Sequence, residues 1–156
     1  MGEPAGRKLI TQNRRARHDY EILDTVEAGL VLLGPEVKSL RDGRANLSDA
    51  YAAIRGAEAW LVNVHISPYA QAARDNPDPR RERKLLLHRA EIARLAGKVA
   101  ERGFTLVPLS LYFKEGRAKV ELALARGKKR HDKRESIQRR EQEREMERAR
   151  REREPG

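Results

Sequence analysis

The strongest constraint on the fold lies in residues 104–126, where two apolar segments flank the polar turn Lys114-Glu115-Gly116. In the second segment apolar and polar residues alternate with a period of two, which is typical of a strand that buries one face. The apolar set of that segment is Ala118, Val120, Leu122 and Leu124. The pattern predicts two antiparallel strands, 104–113 and 117–126, joined by a short turn.

Further strands are predicted upstream of this pair. Residues 20–33 predict a strand, a turn at Ala28-Gly29 and a second strand. Gly56-Ala57 separates the apolar segments 48–55 and 58–64, which predicts a hairpin. The chain therefore contains about six strands.

Two helices and one long loop complete the pattern. Gly34-Pro35 begins a short helix over 34–41, because proline is tolerated in a first helical turn, and Gly43 is placed to end it. Between residues 88 and 102 apolar side chains recur at i, i+3, i+4 and i+7, which predicts an amphipathic helix. Residues 67–83 contain three prolines and predict a loop.

These elements favour one fold class. Strands joined by short turns, with few helices, suit a small closed or nearly closed antiparallel barrel, an architecture that often presents one face to RNA. We predict a mainly β protein with some α: a barrel of about six strands with two or three flanking helices.

The charge is concentrated at the two ends of the chain. The sequence has 34 Lys and Arg against 24 Asp and Glu, a formal net charge of +10. Residues 1–17 contain five basic side chains and one acidic, and residues 127–156 contain 12 basic and eight acidic. Such an excess indicates a polyanionic partner, nucleic acid first and an anionic membrane second. We predict a flexible basic arm over 1–17, an RNA-binding domain over 18–126 and a charged tail over 127–156, disordered or helical.

Several classes of protein are disfavoured. Cysteine is absent, which excludes disulfides and thiolate chemistry. The longest run of Leu, Val and Ile covers residues 30–33, far short of the ~18 apolar residues of a membrane span. No export signal is visible. The four histidines show no metal-ligand spacing, and no nucleophile lies near a base. We therefore expect a cytoplasmic protein with no catalytic residues, no metal and no cofactor.

The first candidate RNA contacts follow the basic start of the chain. Arg14, Arg15 and Arg17 can reach phosphates, and His18 and Tyr20 can stack on bases. The alternative is a terminus that only adds solubility.

A second group of candidates lies on and after the short helix and on the long loop. Basic side chains in a solvated surface would explain these clusters equally well from spacing alone. The candidates are Lys38, Arg41, Arg44, Asn46, Arg83 and Lys84.

Two further motifs each have two interpretations. Glu27 could accept a hydrogen bond from a base amino group, or it could be an ordinary turn residue. His131-Asp132-Lys133-Arg134 could stack on and clamp a nucleotide, or it could start a helix that Asp132 caps.

The same segments resemble the SsrA-binding protein family, also called small protein B. The match runs from about residue 13 to residue 134 and consists of many blocks in order. The blocks are NRRARHDY at 13–20, EAG at 27–29, EVKSLR at 36–41, DP at 78–79, RKLLL at 83–87, TLVPL at 105–109, GKK at 127–129 and HDKR at 131–134.

The resemblance implies an oligonucleotide-binding-like barrel that binds the tRNA-like domain of tmRNA. The complex, charged with alanine and brought by elongation factor Tu, would enter the vacant A site of a stalled ribosome for trans-translation. The tmRNA-facing positions it implies are Arg17, His18, Glu27, Asn46, Leu86 and Lys119, with Lys128 and Lys129 in a matching block.

The resemblance also implies a role for the tail on the small ribosomal subunit. His131 would stack in the decoding centre, supported by Asp132, Lys133 and Arg134. The remaining tail would become a helix in the empty mRNA channel. The alternative within binding proteins is a ribosomal protein or translation factor that uses the same barrel on ribosomal RNA.

Overall fold

The computed structural model describes residues 6–101, 103–127, 144–146 and 148. Between residues 6 and 127 the described chain forms nine strands, three α-helices and one 3-10 helix. In chain order these are β1 (Arg7–Gln12), α1 (Ala16–Asp19), β2 (Tyr20–Leu30), α2 (Gly34–Arg41), β3 (Ala45–Asn46), β4 (Tyr51–Arg55), β5 (Glu58–Val62), β6 (His65–Ile66), the 3-10 helix (Ala70–Asp75), β7 (Arg83–Leu86), α3 (Arg89–Ala100), β8 (Phe104–Lys114) and β9 (Arg117–Gly127).

Six of the strands close into a ring. Strand β8 pairs with β4, β4 with β5, β5 with β7, β7 with β2, β2 with β9, and β9 returns to β8, all antiparallel. The hairpin of β8 and β9 is the pair that the alternating pattern predicts. The predicted barrel of about six strands is confirmed.

The core fills the inside of this ring and attaches two helices to it. Leu106, Leu111 and Leu122 from the hairpin are buried there. Leu40 of α2 and Leu95 of α3 belong to the same cluster, which confirms both predicted helices. Each fully buried leucine contributes roughly 1.5–3 kcal/mol relative to an exposed one.

The predicted turn at Ala28-Gly29 is wrong. Strand β2 runs straight through both residues and pairs with β9 along its length, with Ala28 opposite Val120. A side chain at Gly29 would be crowded, because a Cβ atom there would lie 3.2 Å from Leu86 Cβ. The glycine marks a close approach between the paired strands β2 and β7 and not a chain reversal.

The predicted flexible arm over 1–17 is also wrong for residues 7–17. Residues 7–12 form β1, which pairs with the second half of β8, and the α1 helix follows. Ala16 of α1 is only 1 % exposed because it covers a second apolar cluster. That cluster consists of Val107, Leu109, Ala123 and Ala125, the alternate positions of β8 and β9 that face away from the main core.

The remaining predictions differ only in detail. Residues 67–82 form a connection that contains the 3-10 helix. Arg83, the last residue of the predicted loop, begins strand β7, which continues to Leu86 and was not predicted from the sequence. Strand β9 ends at Gly127, close to the predicted boundary of the tail. Within the predicted tail the structure describes 144–146 and 148, which are helical.

Candidate nucleic-acid interface

A groove lies between the corner of β1 and α1 and the segment that contains β3. Its volume is about 330 Å³, and among the described residues its lining has no acidic side chain. Asn13 fixes the corner, since its side-chain nitrogen donates to the carbonyl oxygens of Leu47 at 3.3 Å and Pro108 at 3.1 Å. Arg14 and Arg15 line one wall. The groove offers hydrogen-bond donors and positive charge without a competing carboxylate.

Asn46, which the sequence analysis predicts as an RNA contact, lines the other wall of the groove. Its side-chain oxygen accepts from the Ser48 amide at 2.8 Å and from the Ser48 hydroxyl at 2.6 Å. The side-chain oxygen is therefore used within the loop, while the amide nitrogen remains a donor for a ligand. Arg44 directly precedes this wall and is exposed. Sequence reasoning missed Gln12 and Ser48, which also line the groove.

The basic side chains of the described chain fall into two groups. One group is held in ion pairs with acidic residues, and its members are Arg7, Arg55, Arg81, Arg83, Lys84, Arg94, Lys98, Lys114 and Arg126. A second group is exposed or partly exposed and forms no ion pair with a described residue: Lys8, Arg14, Arg15, Arg17, Lys38, Arg41, Arg44, Arg74, Arg80, Arg89, Arg117, Lys119, Arg144 and Arg148. The Lys38 ammonium lies 5.6 Å from the centre of the Tyr69 ring. Unpaired cations are the ones available to phosphates.

Arg83 does not belong to an RNA-binding surface, and its prediction as a contact is wrong. Its side chain is 1 % exposed. It donates to Glu36 Oε2 at 2.8 Å, to the Val64 carbonyl at 2.6 Å and to the Pro79 carbonyl at 3.0 Å. A charged arginine can be buried only when paired in this way. Lys84 is partly exposed and lies 3.5 Å from Glu58.

Glu27 lies in the middle of β2, where its carboxylate accepts three hydrogen bonds. The donors are the Tyr112 hydroxyl at 2.5 Å, Arg7 Nη2 at 3.1 Å and Lys114 Nζ at 3.3 Å. The hydrogen bond from Tyr112 lowers the pKa of Glu27, aided by Lys114 and Arg7 against the opposing effect of burial. Burial and the Glu27 carboxylate both raise the pKa of Tyr112. The sequence analysis missed Tyr112, an aromatic residue on β8 opposite Lys119 in the hairpin.

Leu86 of β7 and Lys119 of β9 lie on the two strands that flank β2, with Gly29 between them. Gly29 pairs with Leu86 on one side and with Lys119 on the other. Leu86 is 53 % exposed, which is unusual for a leucine in a barrel strand. An apolar surface beside an ammonium group suits an unstacked base and its phosphate.

The other predicted contacts are distributed as follows. Arg17 and His18 are exposed on α1, whereas Tyr20 is partly buried and packs against the second apolar cluster, so its ring is used in the fold. The predicted contacts Lys128, Lys129, His131, Asp132, Lys133 and Arg134 lie outside the described residues.

Among residues 6–101, 103–127, 144–146 and 148 no group of three acidic or histidine side chains could hold a metal ion. In these same ranges no helix has the length and hydropathy to cross a membrane.

The fold and its surface define a class of protein: a small antiparallel barrel whose unpaired cations and donor-lined groove suit a nucleic acid. The comparisons agree with this class. The family model described as SmpB protein matches residues 10–152. The SsrA-binding protein of Parafrankia sp. strain EAN1pec is 63% identical over 148 residues, 95% of this chain and 94% of that protein. The SsrA-binding protein of Thermobifida fusca is 65% identical over 144 residues, 92% of this chain and 90% of that protein.

A solved structure is similar as well. A chain from the work described as "tmRNA-SmpB: a journey to the center of the bacterial ribosome" is 56% identical, with a TM-score of 0.66. The similarity covers 76% of this chain and 83% of that chain. The chain belongs to the SmpB family.

Proposed function

We propose that the protein binds the tRNA-like domain of tmRNA and delivers it to the vacant A site of stalled ribosomes for trans-translation. As a member of the SmpB family it is an RNA-binding factor and not an enzyme. Its relatives are named for binding SsrA, and the similar solved chain is described together with tmRNA and the bacterial ribosome. The protein would act in the cytoplasm, where its ribosomal partner works.

The observation that carries the proposal is the groove lined by Arg14 and Arg15, whose described lining contains no carboxylate. Several other exposed arginines, such as Arg55 and Arg94, are paired with neighbouring carboxylates. Because the whole barrel is close to neutral, RNA recognition depends on the cations of the groove and on its shape. Arg17, Arg41, Arg44 and Asn46 extend the same donor-rich surface in the proposal.

The finer parts of the proposal concern the ribosome. His131 would stack in the decoding centre of the small subunit, with Asp132, Lys133 and Arg134 beside it, and the tail beyond would form a helix in the mRNA channel. Elongation factor Tu would take part indirectly, because it carries the alanine-charged tmRNA. The family resemblance supports these assignments, and they remain predictions for this chain.

Neutralising the groove tests the RNA-binding part. We expect Arg14→Gln/Arg15→Gln to weaken binding of the tRNA-like domain by about tenfold and to flatten the slope of log K against log salt by about two units. The matched control Arg55→Gln/Arg94→Gln also removes two exposed arginines, but these are ion-paired with Glu82 and Asp24. We expect the control to change affinity by less than about twofold. Filter binding or fluorescence anisotropy over a salt series provides the measurement.

Two results would contradict the proposal. Equal losses in the two double variants would show that only the total charge matters. Equal affinity of the intact protein for the tRNA-like domain and for an unrelated RNA hairpin would remove the assignment to tmRNA, and preference for a ribosomal RNA fragment would favour the alternative of a ribosomal-RNA-binding factor.

A further inference from the structure

Four side chains from three strands meet on the outside of the barrel around one carboxylate. We call them the Glu27 cluster: Arg7 of β1, Glu27 of β2, and Tyr112 and Lys114 of β8. The three donors contact both carboxylate oxygens, with Tyr112 and Arg7 on Oε2 and Lys114 on Oε1. The cluster lies where β1 joins the barrel, since Arg7 pairs with Lys114 in the strand register.

The carboxylate of Glu27 has little capacity left for an external ligand. An ionised carboxylate has about four acceptor positions, and three are occupied within the cluster. A base amino group would have to displace a charged donor to bind there. Direct acceptance from RNA is therefore disfavoured in this arrangement.

The two cations of the cluster can still bind an external anion. The side chains of Arg7 and Lys114 are 29% and 39% exposed. Arg7 Nη1 also lies 4.0 Å from a carboxylate oxygen of Glu121. A guanidinium has five N–H donors and an ammonium has three, so each cation still keeps donors that these carboxylates do not use. The Arg7 guanidinium also lies 4.3 Å from the centre of the Tyr112 ring, which restricts its orientation.

The cluster adjoins the surface already assigned to RNA. Tyr112 is opposite Lys119 in the β8–β9 hairpin, and Lys119 is opposite Gly29 in the next pairing. Gly29 in turn pairs with the exposed Leu86. Lys114, which pairs with Arg7, is two positions beyond Tyr112 on β8, so the cations of the cluster lie one same-face step along the strands from Lys119.

We propose that Glu27 is a positioning residue for RNA binding: it holds Arg7 and Lys114 in place for RNA phosphates and does not itself contact RNA. Tyr112 supports the arrangement from below by donating to the carboxylate and by stacking under Arg7. The inference rests on the proposed RNA-binding function and identifies β1 as part of the binding surface.

The sign of one substitution separates this role from simple electrostatics. Glu27→Gln removes a negative charge, so long-range attraction alone would tighten the binding of RNA. In the proposed role the amide no longer holds two cations, the side chains of Arg7 and Lys114 regain rotational freedom, and binding weakens. We expect about fivefold weaker binding of the tRNA-like domain, a coupling of ordinary size for contacting residues.

A double-mutant cycle separates positioning from direct contact. Glu27→Gln is measured in the intact sequence and in an Arg7→Gln/Lys114→Gln background, with anisotropy of the labelled tRNA-like domain as readout. If Glu27 acts through the two cations, its substitution changes affinity by less than about twofold once they are absent. An undiminished fivefold loss in that background would show direct contact and overturn the inference, as would tighter binding in the intact sequence.

Tyr112→Phe provides a second variant with a smaller structural change. It removes one hydroxyl donor and keeps the ring under Arg7, so we expect about twofold weaker RNA binding. This loss should also disappear in the Arg7→Gln/Lys114→Gln background. Circular dichroism and urea unfolding of each variant establish that the barrel is intact. A Tyr112→Phe loss that persists without Arg7 and Lys114 would contradict the inference. Failure of the intact protein to prefer tmRNA would instead contradict the proposed function, and the cycle does not depend on that preference.

Discussion

Glu36→Gln is expected to destabilise the protein by about 3 kcal/mol, because it leaves a buried arginine without its counter-charge. Glu36 and Arg83 are 2 % and 1 % exposed, and their charged groups approach to 2.7 Å. Arg81 donates to both oxygens of the same carboxylate, from Nε to Oε2 and from Nη2 to Oε1. The glutamate also accepts from the Leu33 amide at 2.9 Å, at the start of α2. One side chain thus joins α2, the 67–82 connection and β7.

The same carboxylate predicts how stability depends on pH. Burial raises the pKa of Glu36, but the hydrogen bonds from Arg81, the Leu33 amide and Arg83 outweigh it, and the pKa lies below the ordinary value of 4.5. A carboxyl whose pKa is lowered on folding stabilises the protein fully above the unfolded value, and the contribution is lost as pH falls through the folded value. The free energy of unfolding should therefore fall below about pH 4.5 in the wild type and less steeply in Glu36→Gln.

The matched control for this prediction is Glu82→Gln. Glu82 also binds an arginine through both oxygens, at 2.6 and 2.9 Å, but the pair with Arg55 is exposed. An exposed pair contributes about 0–1 kcal/mol. Urea unfolding at pH 7 and pH 4 gives the measurement. Losses of equal size in the two variants would show that burial does not govern the Glu36 pair.

Truncation after Gly127 is expected to abolish the rescue of stalled ribosomes while leaving tmRNA affinity within about tenfold. All strands of the closed ring end at or before Gly127, so the truncated chain keeps every described contact of the barrel and groove. It loses 12 basic and eight acidic residues, which is a modest change of net charge. It also loses His131 and the neighbours to which the proposal assigns ribosome contact.

The groove variant is the natural comparison for this truncation. Arg14→Gln/Arg15→Gln weakens tmRNA binding, so its rescue activity should return when protein and tmRNA are supplied at saturating concentration. The truncated protein should stay inactive under the same conditions, because tmRNA binding is not its defect. A reconstituted translation reaction on a message without a stop codon, with the tagged product as readout, measures both. Loss of tmRNA binding on truncation would refute the division of roles between barrel and tail.

The parts of the fold that follow from local pattern were predictable from the sequence. The alternation in residues 117–126 and the helical spacing in residues 88–102 each depend on neighbours in the chain, and both elements formed as expected. The turn at Gly29 was predicted wrongly because the reason for a glycine there lies far along the chain. Leu86, whose Cβ crowds this position, belongs to a strand more than fifty residues later. The packing of residues 7–17 onto the barrel could have been inferred from Val107 and Ala123, whose apolar side chains on the second face of the hairpin need a cover.

The candidate site was predictable as a set of residue types but not as a set of accessible residues. Arg14 and Arg83 are both arginines in basic clusters, and charge alone does not distinguish them. The distinction arises from Glu36, which lies far from Arg83 in sequence and forms a buried ion pair with it. Likewise, Glu27 and Tyr112 are separated by 85 positions, and their hydrogen bond exists only because the barrel closes.

Strand β8 has three neighbours, and this has a consequence for the handling of the protein. On one side it pairs with β9, and on the other it meets β4 at Leu106 alone before β1 takes over from Ser110 to Lys114. Without β1, that second half of β8 would be an open strand edge, which recruits strands from other molecules. Proteolytic trimming or a poorly chosen tag at the N-terminus would thus do more than remove positive charge. It would turn the barrel into a template for self-association.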